Sequence, residues 1–186
     1  MSKPLIRTAQ VKDFVSIQSI YAIEVREHTA TFEITPPDMD EMTSRWRHIT
    51  DMGLPYLVAE LDGEVVGYAY ASSYRSRPAY NHTVEDSVYV ARDKHRQGVG
   101  RTLLTELMCR CRNLGKRQMV AIIGDSRHDA SIRLHENAGF RHVGTLNQVG
   151  WKLGRWVDSV IMQRSLVLGP NDEVFNRNVH ADGIDR

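Results

Sequence analysis

A glycine-rich turn at His95–Arg101 lies between a β-patterned segment and an amphipathic helix, and it constrains the fold more than any other part of the chain. The preceding run Ser87–Ala91 is rich in β-branched and aromatic residues, which is typical of a strand. After the turn, apolar residues recur at helical spacing, namely Leu103, Leu104, Leu107, Met108, Cys111 and Leu114. The first backbone N–H groups of a helix that begins near Gly98 lack an intrahelical partner, so the turn is predicted to bind an anion.

The residues within the turn suit a diphosphate. Gly98 and Gly100 lack a Cβ, so a bulky anion can approach the backbone amides closely, and Arg96 and Arg101 add positive charge. An ordinary tight turn with two solvated arginines explains the same residues about as well. The spacing matches neither a nucleoside-triphosphate loop nor the full glycine pattern of a dinucleotide fold.

Hydrophobic periodicity along the chain predicts the order β-α-α-β-β-β-α-β-α-β-β, which is a mixed α/β class. Strands are predicted at Leu5–Thr8, Tyr56–Glu60, Val65–Ala71, Val84–Ala91, Met119–Ile123, Phe140–Leu146 and Val157–Arg164. Helices are predicted at Val11–Glu27, from an Asp38 N-cap to Met52, after Gly98, and at Ala130–Ala138. Residues 1–166 are interpreted as a single domain, and residues 167–186 as a polar C-terminal tail.

Composition excludes several classes of function. With 24 Lys and Arg against 23 Asp and Glu, the chain shows no charge pattern for nucleic acid or an anionic membrane. No apolar run is long enough to cross a bilayer and no signal core is visible, so a cytoplasmic location is expected. Cys109 and Cys111 are two apart on one predicted helix and are not expected to form a disulfide. No metal site is predicted.

Beyond the glycine turn, three segments carry a family resemblance: Thr83–Val90, Ser131–Phe140 and Gly150–Asp158. They resemble the GNAT superfamily of N-acetyltransferases, and within it the group that acts on phosphinothricin, methionine sulfone and methionine sulfoximine. The resemblance extends from Leu5 to about Leu166. It implies the GNAT acyl-CoA N-acyltransferase fold, with a mixed, mostly antiparallel central sheet flanked by helices. It also implies acetyl-CoA as cosubstrate and a small amino-acid-like acceptor.

The resemblance assigns cofactor binding to two parts of the chain. The diphosphate would bind the turn residues, namely His95, Arg96, Gln97, Gly98, Val99, Gly100 and Arg101. His95 itself departs from the Arg or Gln that the family usually has at this position. Val88, Tyr89 and Val90 would pair with the pantetheine amides as an extra strand would, although any central strand contains such residues.

Two residues near the start of the fourth helix complete the predicted cofactor site. His128 stands where the family usually has an Asn that contacts pantetheine. Ser131 is expected to cap the helix or to bond a cofactor phosphate.

Glu85 is the candidate general base. A free amine is mostly protonated near neutral pH, so acetyl transfer needs a proton acceptor, and burial would raise the pKa of this carboxyl into a useful range. The alternative is a solvated strand-edge carboxylate or an ion pair with Arg75 or Arg77. The resemblance favours the base.

His135 is the second catalytic candidate. Many GNAT members carry a Tyr here that protonates the departing thiolate, whereas this group carries His, which could donate that proton or assist as a base. It lies four residues after Ser131, so both side chains project from the same side of the helix. The alternative is a helix-surface histidine that only orders the pantetheine end.

The acceptor site is predicted in the loop before Glu85 and in the loop after the first helix. Five residues of the first loop are assigned to it: Arg75, Arg77, Pro78, Ala79 and Tyr80. An arginine fork suits a carboxylate, phosphinate or sulfone oxygen, although surface arginines are commonly just solvated. Phe32 is expected to form an apolar wall or, alternatively, a structural anchor.

Three functions therefore compete. The first is an acetyl-CoA-dependent N-acetyltransferase for phosphinothricin, methionine sulfoximine, methionine sulfone or a similar amino acid. The second is a GNAT enzyme for a peptide amino terminus or a polyamine, although a polyamine pocket should be acidic and this loop is basic. The third is a non-catalytic CoA-binding module. Family members are commonly homodimers, and Gly150–Asp158 lies near the region used for pairing, so a homodimer is expected.

Overall fold

The computed structural model describes residues 3–167, so residues 168–186 of the predicted tail lie outside it. The strands are β1 (Leu5–Thr8), β2 (Tyr56–Leu61), β3 (Glu64–Ser73), β4 (Thr83–Val90), β5 (Gln118–Gly124), β6 (Arg141–Lys152) and β7 (Arg155–Ser165). The α-helices are α1 (Phe14–Glu27), α2 (Met39–Asp51), α3 (Val99–Asn113) and α4 (Asp129–Asn137). Short 3-10 turns occupy Val11–Asp13, Pro78–Tyr80 and Arg92–Lys94. The predicted order of strands and helices is confirmed.

The largest departure from the predicted boundaries is the length of the last hairpin. Strand β6 continues six residues past the predicted end at Leu146, because a two-residue turn at Leu153 and Gly154 joins it directly to β7. Both turn residues have positive φ, +50° and +73°, which is the backbone that matches the twist of paired strands. Leucine is not typical of such a turn, so the sequence pattern did not predict it.

The seven strands form one sheet in the order β1-β2-β3-β4-β5-β7-β6. Only β4 and β5 run parallel, so the predicted mixed and mostly antiparallel sheet is confirmed. These two strands pair over only four positions, Thr83–Asp86 against Gln118–Ala121. Beyond them β4 continues along β3 and β5 continues along β7, so a gap opens between β4 and β5 at Ser87–Val90.

Helices cover both faces of the sheet. Tyr21 of α1 packs edge-on against Tyr89 of β4 at 5.1 Å, which places α1 on the face that carries the odd-numbered residues of β4. Leu103 of α3 lies against Gly67, the partner of Val90, so α3 covers the even-numbered face. Helix α4 lies on the α3 face, where His135 contacts Asp86. Because side chains alternate along a strand, Glu85 and Asp86 point to opposite faces.

The end of β5 is crossed by the loop that follows α1. A Cβ at Gly124 would overlap the backbone carbonyl oxygen of Thr29, so glycine is the only residue that lets this loop pass. The same crossing is held by the Thr29 hydroxyl, which donates to Asp125 Oδ2 at 3.1 Å.

We therefore expect Gly124→Ala to lower the free energy of unfolding by about 1–3 kcal/mol through overpacking. Gly144→Ala on β6 is the matched control, because a Cβ there meets nothing within 4 Å. The control should be unchanged or slightly more stable, since alanine reduces the entropy of the unfolded chain. Chemical denaturation of both variants measures the difference, and equal stabilities would contradict the crossing.

Candidate active site

The glycine turn is built as a left-handed entry into α3. Gly98 is the N-cap with φ +82°, and Arg96 has φ +60°. The side chain of His95 donates from Nε2 to the carbonyl oxygen of Val90 at 3.0 Å, which ties the turn back to the end of β4. No side chain caps α3 at Gly98, so the first helical N–H groups face the turn without an intrahelical partner. This geometry supports an anion site.

A cavity of about 770 Å³ joins this turn to the gap between β4 and β5. Most of the predicted cofactor residues line it: Val88, Tyr89, Val90, His95, Arg96, Gly98, Val99, Gly100, Arg101, His128 and Ser131. Gln97 does not, because its side chain folds back and donates to the Asp93 carbonyl oxygen at 3.1 Å. The opposite wall is Ala121–Ile123 of β5.

The cavity has the chemistry that an extended amide-bearing diphosphate requires. Along the gap, Ser87–Val90 have no ladder partner on their β5 side, so their backbone groups can pair with ligand amides. Arg92, Lys94 and Arg133 also line the cavity, but each has a carboxylate partner, so among the described residues the uncompensated positive charge is that of Arg96 and Arg101 in the turn. The residues present therefore fit acetyl-CoA.

Glu85 lies on the face of β4 opposite to α3. It pairs with Ser72 of β3 and with Val120 of β5, and its side chain is half-buried. Burial raises the pKa of this carboxyl, the negative charge of Asp86 raises it further, and the positive charge of Arg75 partly offsets both. Within residues 3–167 Glu85 forms no ion pair with Arg75 or Arg77, so the expected ion-pair alternative is wrong.

His135 is buried with only 4% of its surface exposed, so the helix-surface alternative is wrong. Its Nε2 lies 3.0 Å from Asp86 Oδ2, and its Nδ1 lies 2.8 Å from the carbonyl oxygen of Ser131. Burial alone lowers the pKa of His135, but the hydrogen bond and charge of Asp86, together with the Ser131 carbonyl, raise it above its ordinary value. Both residues of the pair line the 770 Å³ cavity, so the structure places a buried ion pair beside the gap.

Sequence reasoning missed Asp86. Its Oδ1 is buried and has no hydrogen-bond partner among the described residues, and the residue lines the cavity. The signal was present, because alternation along β4 puts the residue after Glu85 on the face that α4 covers. Its pairing with His135, 49 residues later, could not be read from local spacing.

The start of α4 differs from the prediction for Ser131. The helix begins at Asp129 with His128 as N-cap, so Ser131 does not cap it, and the capping alternative is wrong. The residue lines the cavity, and the phosphate alternative stays a prediction. His128 lines the same cavity, and burial lowers its pKa.

The predicted acceptor loop lies at the surface. The five residues assigned to it are exposed and line neither of the two described cavities. Arg75 rests its guanidinium 4.3 Å from the centre of the Tyr74 ring, and Pro78–Tyr80 form a 3-10 turn. Their role in acceptor binding stays a prediction.

Phe32 is held against the last hairpin. A Cβ at Gly150 of β6 would overlap its ring. The preceding residue is fixed by Lys152, whose Nζ donates to the Thr31 carbonyl oxygen at 2.7 Å and to the Glu24 carbonyl oxygen at 3.3 Å. These contacts support the anchor alternative, and Phe32 lines neither described cavity.

A second cavity of about 300 Å³ lies between α2 and β3 on the Glu85 face of the sheet. Four tyrosines contribute to it, Tyr21, Tyr56, Tyr68 and Tyr70. The sequence offered one signal, because tyrosine recurs at period two in β3 and so faces one side of the sheet. The helices that complete the cavity could not be placed from that pattern.

Comparison with known proteins decides the family. The chain matches the acetyltransferase (GNAT) domain family over residues 6–161. It belongs to that family.

Individual GNAT relatives are close. A phosphinothricin N-acetyltransferase of Alcaligenes faecalis is 52% identical over 164 residues, which cover 88% of this chain and 83% of that protein. An L-methionine sulfoximine/L-methionine sulfone acetyltransferase of Salmonella typhimurium is 39% identical over 161 residues, 87% of this chain and 94% of that protein. Both the predicted family and the predicted group of relatives are confirmed.

A solved GNAT structure confirms the fold. The crystal structure of a phosphinothricin acetyltransferase from Sinorhizobium meliloti in complex with acetyl-CoA matches with a TM-score of 0.86 and 44% identity, covering 88% of this chain and 89% of that one. That protein binds acetyl-CoA, in agreement with the predicted cosubstrate. Among residues 3–167 no cluster of three or more His, Cys, Asp or Glu side chains could hold a metal, and no helix could span a membrane.

Two glycine variants, one in the turn and one outside it, separate binding from stability. Gly98→Ala adds a Cβ where the diphosphate would meet the amides, so the Kd for acetyl-CoA should rise by about 10- to 100-fold, the equivalent of one lost charge-assisted hydrogen bond. Gly115→Ala is the control, because Gly115 has a similar φ of +74° and equally open surroundings at the other end of α3. Both variants should lose about 1–2 kcal/mol of stability from left-handed strain. Calorimetric titration of the two should differ, and equal affinities would contradict the anion site.

Proposed function

We propose that this GNAT protein moves the acetyl group of acetyl-CoA to the α-amine of a small amino acid such as methionine sulfoximine, methionine sulfone or phosphinothricin. One observation carries the proposal: β4 presents Glu85 on one face and the Asp86–His135 pair on the other, at the point where the gap toward β5 begins. The named activities of the relatives in Alcaligenes faecalis and Salmonella typhimurium support the choice of acceptors.

Acetyl-CoA supplies the thioester carbon that the amine attacks, so a C–N bond forms and the C–S bond breaks. The proton that the nitrogen loses as the amide forms goes to the departing thiolate. Glu85 accepts the proton of the acceptor ammonium group, either directly or through water. Burial raises its pKa, which makes the carboxylate a stronger proton acceptor. His135 provides positive charge near the departing thiolate. We assign it this role rather than that of proton donor, because Asp86 and Ser131 already bind both ring nitrogens.

The assay that tests the function follows release of the CoA thiol with a panel of acceptors. We expect methionine sulfone and methionine sulfoximine to be acetylated well, phosphinothricin detectably and methionine poorly. Turnover of peptides or polyamines alone would favour the second function. Acetyl-CoA binding without thiol release for any amine would favour a non-catalytic module and would overturn the proposal.

Glu85→Gln keeps the shape of the side chain and removes the proton acceptor. The turnover number should fall by about 10²- to 10⁴-fold, as for loss of a positioned general base. The affinity for acetyl-CoA should stay near that of the unmodified protein. Steady-state kinetics and titration measure both quantities, and an unaltered rate with an unaltered pH profile would make Glu85 structural.

Asp86→Asn tests the charge on His135. The protonated imidazole exists below its pKa, so activity should fall as pH rises through that value. Without the Asp86 charge the pKa of His135 drops, and the alkaline fall in turnover should begin at lower pH. The control is Asp125→Asn, which removes another buried carboxylate, the ion-pair partner of Arg155. If Asp86 is purely structural, Asp86→Asn should lower activity at every pH and leave the pH of the alkaline fall unchanged. Asp125→Asn should likewise leave that pH unchanged.

We also propose a homodimer that pairs through the β6–β7 hairpin. The hairpin exposes more than half of each of six apolar side chains: Val143, Leu146, Val149, Trp151, Leu153 and Trp156. An apolar patch of this kind typically marks an interaction site. Sedimentation at several protein concentrations tests the pairing.

We propose a cytoplasmic location as well, and the two free thiols Cys109 and Cys111 are in keeping with it.

A further inference from the structure

We propose that the 300 Å³ cavity between α2 and β3 binds the side chain of the acceptor amino acid, while Arg75 binds its α-carboxylate. This inference rests on the proposed acetyl transfer and restricts the arginine loop to one of its expected ligands, a carboxylate. The volume is at the lower end of the range for small-molecule sites and suits one amino-acid side chain.

The position of the cavity relative to Glu85 is the first argument. Ser72 lines the cavity and lies directly across from Glu85 in the β3–β4 ladder. Tyr70 also lines it and pairs with Ser87. An amine at Glu85 therefore has the cavity beside it on the same face of the sheet. The cofactor cavity runs through the gap beside β4, with Asp86 lining it on one face of the sheet and Ser87 on the other, so the two substrates would meet at this strand.

The lining is the second argument. The ring of Tyr56 stacks on Tyr70 at 4.9 Å and on Tyr68 at 6.0 Å, which makes a flat aromatic floor. Met42 and Ile49 of α2 form the apolar wall opposite. Such a lining suits an unbranched carbon chain, and tyrosine hydroxyls can donate to sulfone or sulfoximine oxygens.

Charge is the third argument. Arg45 lines the cavity, but Glu33 accepts from it at 2.5 Å and Glu41 at 2.7 Å, so two carboxylates offset its charge. His48 is the other ionisable group of basic type in the lining. A cavity whose arginine is already neutralised binds an uncharged oxidised sulfur group better than an anionic phosphinate. The structure thus favours methionine sulfone and sulfoximine over phosphinothricin.

Arg75, unlike Arg45, has no carboxylate partner among the described residues to offset its charge. In the described part of the chain it forms no ion pair; its guanidinium donates to the Tyr74 carbonyl oxygen at 2.8 Å. It follows by two residues Ser73, which ends β3 and lines the cavity. Arg75 therefore lies at the same end of the cavity as Ser72, the ladder partner of Glu85. Every α-amino acid carries a carboxylate next to its amine. An unpaired arginine here serves that common group rather than the variable side chain.

Met52 and Met39 offer a matched pair of variants. Met39 is the first residue of α2 and Met52 is its C-cap; their exposed fractions are similar, 39% and 41%, but only Met52 lines the cavity. Met52→Phe narrows the cavity without touching the core. The ratio of kcat/KM for methionine sulfone to kcat/KM for alanine should fall by about tenfold or more, since the alanine methyl group does not need the cavity. Met39→Phe should leave the ratio unchanged, and the KM for acetyl-CoA should stay constant in both.

Arg75→Gln completes the experiment. Loss of a carboxylate partner should raise the KM for methionine sulfone and for alanine by a similar factor. The inference is overturned if Met52→Phe leaves the ratio unchanged, or if Arg75→Gln impairs methionine sulfone selectively, because the loop would then hold the side chain. A wild-type protein that acetylates neither of these acceptors, nor methionine sulfoximine or phosphinothricin, overturns the proposed function itself. Acetylation of both acceptors with no response to Met52→Phe overturns the side-chain site alone.

Discussion

The early separation of β4 from β5 is the constraint on which the site depends. The two strands share only four ladder positions before each follows its other neighbour. Backbone groups left without a partner cost about 1–3 kcal/mol each when buried, so the freed edge at Ser87–Val90 is stable only where solvent or a ligand supplies hydrogen bonds. The same strand then leads into the glycine turn, so one continuous segment provides both the amide-pairing edge and the anion site.

Local patterns predicted the elements and the turn well. The order of helices and strands follows from periodicity, and Gly98 has the left-handed backbone that a glycine at a helix start permits. The pattern failed where an unusual residue took a special conformation, as Leu153 does in the last hairpin. It also failed at Ser131, because the chain enters α4 two residues before that serine.

The parts of the site that sequence reasoning missed depend on tertiary packing. Asp86 meets His135 only because α4 is folded onto the even-numbered face of β4, and no spacing rule encodes a contact across 49 residues. The tyrosine-lined cavity combines α1, α2, β2 and β3, so only its β3 stripe was visible in advance. Residues close in sequence to the glycine turn were identified more easily than residues assembled from distant segments.

The alternation of side chains along β4 has a consequence for how this chain can vary. Glu85 and Asp86 are neighbours in sequence but point to opposite faces of the sheet. The register of β4 against β3 therefore decides which of the two carboxylates faces which cavity. Insertion or deletion of a single residue inside Thr83–Asp86 would move each carboxylate to the opposite face of the sheet. The carboxylate of Glu85 would then face α4, and that of Asp86 would face the tyrosine-lined cavity, although composition and strand length would hardly change. Within the strand, only a change of two residues would keep each carboxylate on its own face of the sheet.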